Sequence, residues 1–75
     1  MSEKKIKLND TEQVRDFVRS AERCDFDIDI FYNRVIIDAK SFLGVLSLDL
    51  TRELTVQYGG HNMAFENVLQ KYATA

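Results

Sequence analysis

The sequence lacks most of the parts on which small proteins usually lean. It has no proline, no tryptophan, one histidine (His61), three glycines and a single cysteine, Cys24. One cysteine excludes an internal disulfide and any thiolate cluster for a metal. One histidine leaves little for an imidazole-based active site, and no cofactor or metal is expected. No apolar run approaches the ~20 residues that cross a bilayer, and the first residues carry no signal-peptide core, so the expected location is the cytoplasm. Basic charge is not in excess either: ten Lys and Arg stand against twelve Asp and Glu, for a net charge of −2. Nucleic acid is therefore not the expected partner, because phosphate neutralisation needs a clustered basic surface. Lys4, Lys5 and Lys7 are the only basic cluster, and they read as the charged edge of a strand.

What is present is an ordinary globular composition, 45% hydrophobic over 75 residues, without repeat, linker or low-complexity segment. One domain over residues 1–75 with one core is expected. Ile6 and Leu8 alternate with Lys5 and Lys7 in the period of a half-buried strand. Asn9 and Asp10 follow, each with a Glu or Gln three positions on (Glu12, Gln13), the spacing of a capping box. Val14, Phe17, Val18 and Ala21 then make one stripe of a helix from about Thr11 to Arg23. From Asp25 to Tyr32 the alternation is strict, with Phe26, Ile28, Ile30 and Tyr32 on one face and Asp25, Asp27, Asp29 and Phe31 on the other.

Asn33-Arg34 reads as a two-residue hairpin turn, since Asn tolerates positive φ; glycine would be the usual second residue. Val35 to Asp38 returns as the partner strand, with Phe31 opposite Ile36 and Asp29 opposite Asp38. Ser41 can cap a short helix reaching about Ser47, and Thr51 to Tyr58 is a further strand that Gly59-Gly60 ends. Phe65, Val68, Leu69 and Tyr72 stripe a last helix from about Asn62 to Ala73. The order β-α-β-β-α-β-α predicts an α+β open-faced β-sandwich, a four-stranded antiparallel sheet with three helices on one face. Asp25, Asp27 and Asp29 then face solvent. They do not open a calcium loop, because Ile30 and Ile36 stand where such a loop needs glycine and glutamate.

This order, with the run Lys40-Ser41-Phe42-Leu43-Gly44-Val45-Leu46-Ser47-Leu48, resembles the HPr phosphocarrier family of the bacterial sugar phosphotransferase system. The resemblance covers about Val14 to Val56. In that family phosphate rides on a histidine at the start of the first helix, within Gly-φ-His-x-Arg-Pro (φ apolar). There it meets free backbone N–H groups and the positive helix end, and the arginine neutralises its charge. Aligned back from Ser20-Ala21, Asp10 stands at the histidine, Glu12 at the arginine and Gln13 at the proline, and the preceding loop is about three residues shorter. The resemblance thus implies a degenerate member without histidine phosphotransfer. His61 is no substitute, because it follows the last strand, at the opposite end of the sheet from the first helix.

Two serine and carboxylate readings stay open. Asp10 can be a helix cap, or the acyl-phosphate acceptor of a divergent carrier. Ser41 can be a cap, or the counterpart of the serine that an ATP-dependent kinase phosphorylates in Gram-positive members of the family. The resemblance also implies that exposed apolar side chains of the short helix dock phosphotransfer enzymes and regulators: Phe42, Leu43 and Leu46, with Val45 and Leu48 in the core. Phe31 and Ile36, a cross-strand apolar pair on the open face, suit either local stabilisation or self-association. The expected function is HPr-like protein docking or regulation rather than enzymatic catalysis. The alternatives are a divergent phosphocarrier, and an unrelated ligand- or subunit-binding domain.

Overall fold

Each helix begins where a side-chain oxygen closes the first turn. Asp10, Ser41 and Asn62 accept hydrogen bonds from the N–H groups of Gln13, Gly44 and Phe65, at 2.9, 3.1 and 3.0 Å. These caps start α1 (Thr11–Glu22), α2 (Phe42–Leu46) and α3 (Met63–Tyr72). The strands are β1 (Ser2–Ile6), β2 (Ile28–Tyr32), β3 (Val35–Asp38) and β4 (Leu54–Tyr58). This is a computed structural model and it describes residues 1–74; Ala75, the last residue of the expected domain, lies outside them.

The strands form one antiparallel sheet in the order β1-β4-β2-β3. The core lies between its inner face and the helices, and comprises Ile6, Ile28, Ile30, Leu54, Val56 and Tyr58 from the sheet with Val14, Phe17, Phe65 and Leu69 from the helices. The architecture is the α+β open-faced sandwich that the element order predicts. Val45 and Leu48 are buried as expected. Among the described residues no helix is long and apolar enough to cross a membrane.

The hairpin register is the expected one, Phe31 opposite Ile36 and Asp29 opposite Asp38. Asn33 takes φ 51° and is the only non-glycine residue with positive φ among those described, so Arg34 needs no left-handed conformation.

Three strands are shorter than the alternation suggests. β4 begins at Leu54 rather than Thr51, because Asp49 ties down a turn: its carboxylate accepts from Thr51 N–H at 3.1 Å, from the Thr51 hydroxyl at 2.6 Å and from Arg52 Nε at 3.3 Å. β2 begins at Ile28 rather than Asp25, since β4 ends opposite Ile28 and leaves earlier residues no neighbour. Phe26 instead stacks on Tyr58 with ring centroids 6.1 Å apart, and its ring lies so close to Gly60 that a Cβ there would sit 2.1 Å from it. β1 ends at Ile6; Leu8 is buried beyond it.

Candidate functional site

The entrance of α1 is where the resemblance would put a phosphoryl group. Asp10 Oδ1 accepts from Gln13 N–H, and Gln13 Oε1 in turn accepts from Asn9 N–H at 2.7 Å. Asp10 thus occupies the Gln13 N–H, one of the first-turn donors that a bound phosphate would use, and Gln13 occupies the Asn9 N–H ahead of the helix. Glu12 is exposed beside them. An open depression of about 420 Å³ adjoins this end, lined in part by Lys7, Asn9, Gln13, Lys71 and Tyr72. Its cations are engaged: Lys71 Nζ lies 2.7 Å from Asp16 Oδ2, and Lys7 Nζ reaches the Leu50 carbonyl at 3.4 Å.

Asp16 joins α1 to the end of α3. Besides Lys71, it accepts from the Tyr72 hydroxyl at 2.6 Å. Lys71 first, then Tyr72, hold its carboxyl below the usual range, while burial and then Asp16 push the Tyr72 phenol up. Tyr58, buried in the core, donates to Glu66 Oε2 at 2.6 Å, and burial more than that hydrogen bond raises its pKa.

α2 carries the expected docking residues, and the structure grades them. Leu43 is 78% exposed, whereas Phe42 and Leu46 are half-buried against the core. Ser41 is exposed and caps the helix. Gly44 is held close to β3, since a Cβ there would meet the Ile37 side chain at 2.7 Å. Arg15 of α1 places its guanidinium 5.1 Å from the centre of the Phe42 ring, so the entrance of α1 and the α2 surface adjoin. Nothing in the sequence signals this contact, because Arg15 and Phe42 are far apart along the chain.

Elsewhere the residues stand apart. His61 is exposed in the loop after β4, and because β1 and β4 are antiparallel this loop lies at the far end of the sheet from Asp10. Cys24 is buried, its thiol raised by desolvation, and Lys40 Nζ bonds the Cys24 carbonyl at 2.9 Å. Asp29 lies on the open face, and Asp25 and Asp27 are exposed ahead of β2. Among the described residues no group of His, Cys, Asp or Glu is arranged to hold a metal ion. Phe31 is half-buried and Ile36 is 64% exposed on that face. No family model and no curated protein matches the chain.

Proposed function

We propose that this chain is an HPr-like docking or regulatory protein of the cytoplasmic sugar phosphotransferase system that has no histidine phosphotransfer of its own. The observation that carries this reading is the acidic, capped entrance of α1. Asp10 caps the Gln13 N–H there, and Glu12 adds negative charge where a phosphoryl group would need positive. The element order is the one the resemblance implies, and the short helix presents Leu43 to solvent with Phe42 and Leu46 beside it. Leu43 would enter an apolar recess of a phosphotransfer enzyme or regulator, and a phosphate on Ser41 would set negative charge next to it and weaken docking.

The test has two parts. Incubation with phosphoenolpyruvate and the first enzyme of the phosphotransferase system is expected to leave the intact mass unchanged, while an ordinary HPr carrier gains one phosphoryl group. Titration of the same enzyme into labelled protein is expected to perturb Phe42, Leu43 and Leu46 in the amide spectrum, and Leu43→Lys to weaken binding at least tenfold. A phosphoryl adduct sinks the reading and directs attention to Asp10. Absence of binding, or binding indifferent to Leu43→Lys, removes its docking half.

A further inference from the structure

The two edges of the sheet are treated differently. The edge at β1 carries Lys4 and Lys5 and is covered by the segment after α3: Thr74 N–H donates to the Lys5 carbonyl, Lys7 N–H donates to the Tyr72 carbonyl, and Ile6 faces Ala73. Among the described residues nothing covers the edge at β3 in this way, and its strand reads Val35-Ile36-Ile37-Asp38 with Val35 43% and Ile36 64% exposed. An apolar edge with free backbone groups is a template for another strand.

The direction of those groups follows from the register. Ala39 N–H donates to the Ile28 carbonyl at 2.9 Å, so Ala39, and by alternation Ile37 and Val35, turn their backbone groups toward β2. Ile36 therefore turns both of its backbone groups outward and Asp38 its N–H, while the Asp38 carbonyl accepts from Ser41 N–H at 3.0 Å and its carboxylate from Lys40 N–H at 2.9 Å. We infer that β3 pairs antiparallel with β3 of a second copy of this chain about a twofold axis through Ile36, making one continuous sheet.

In that register Ile36 faces Ile36 of the second copy and exchanges both backbone hydrogen bonds with it. Arg34 faces Asp38 of the second copy, and Asp38 faces its Arg34. Ile36 and Asp38 stand on the open face, beside Phe31, and Arg34 is the exposed turn residue just ahead of β3. Sliding the strands by two residues in either direction sets Ile36 against Arg34 or Asp38, so charge complementarity selects the single register. The pairing also answers a conflict within the monomer. Asp38 lies opposite Asp29, like charge against like, and among the described residues no carboxylate is within ion-pair distance of Arg34. On the inner face Val35 would lie opposite Ile37 of the second copy. The pairing is isologous, and it does not depend on any likeness to phosphocarriers.

The charge pattern makes a specific experiment. Sedimentation equilibrium is expected to show a concentration-dependent dimer for the native chain, and dissociation on the order of tenfold or more easier for Arg34→Asp and for Asp38→Arg. Mixed together, these two variants are expected to pair again, because the first offers acid at both positions and the second base at both. A native chain that stays monomeric at millimolar concentration overturns the proposal, as does a dimer that Arg34→Asp leaves unchanged. Hydrogen exchange on the unmodified protein gives an independent reading. The Ile36 and Asp38 amides should gain protection as concentration rises, while Val35 and Ile37 stay constant; protection at other segments alone points to a different interface and also overturns it.

Discussion

At the scale of single residues, the caps were the most legible features. A short polar side chain before an apolar stripe has few other uses, and Asp10 and Ser41 accept the hydrogen bond that such a position calls for, as does Asn62, which the sequence places inside the last helix. Close approaches were not legible, because they join residues distant in sequence. Gly60 looks like a generic strand terminator, yet the Phe26 ring fills the space where a side chain would go. Gly60→Ala should therefore push Phe26 off Tyr58 and cost about 1–3 kcal/mol, measured as a lower midpoint in urea. An unchanged midpoint would mean that the ring moves aside freely. The candidate site divides in the same way. Asp10 and Glu12, where the resemblance would call for histidine and arginine, can be read from the sequence, whereas the Arg15–Phe42 contact that joins α1 to α2 appears only once the helices are packed.

At the scale of elements, type and order could be read because period and punctuation agree, and strand ends could not because pairing decides them. The alternation from Asp25 is real, but a strand needs neighbours, and β4 stops opposite Ile28. Two predictions belong here. Asp29 faces Asp38 across the hairpin, so Asp29→Asn should stabilise the protein by about 0.2–1 kcal/mol, an effect that shrinks in high salt; destabilisation in urea melts would contradict it. Asp16 ties α1 to α3, and its depressed pKa means that the unfolded chain binds this proton more readily. Its stabilisation is complete above the ordinary value of 3.8 and fades as pH falls through the lower folded value. The side chain is 39% exposed, so solvent screens the pair, and Asp16→Asn should cost up to about 1 kcal/mol at neutral pH. Urea midpoints of the variant and the parent should converge as pH drops from about 5 to about 2; a constant gap would assign the loss to packing instead.

At the scale of the whole molecule, the absences with which the sequence begins govern behaviour. With no proline in the chain, no X–Pro isomerisation can delay folding. Refolding followed by stopped-flow at low concentration should lack a phase of tens of seconds, and double-jump experiments with different unfolding delays should give the same amplitudes. A delay-dependent slow phase would point to another cause, such as assembly. The missing tryptophan acts through the two hydrogen bonds that Tyr58 and Tyr72 make to Glu66 and Asp16. All near-ultraviolet emission comes from three tyrosines, and two of them rest their phenol protons on carboxylates. A carboxylate readily takes the proton of an excited phenol and extinguishes its light. The folded chain should thus emit less than the unfolded chain, and a rise in tyrosine emission on unfolding in urea would report opening of the core without a label.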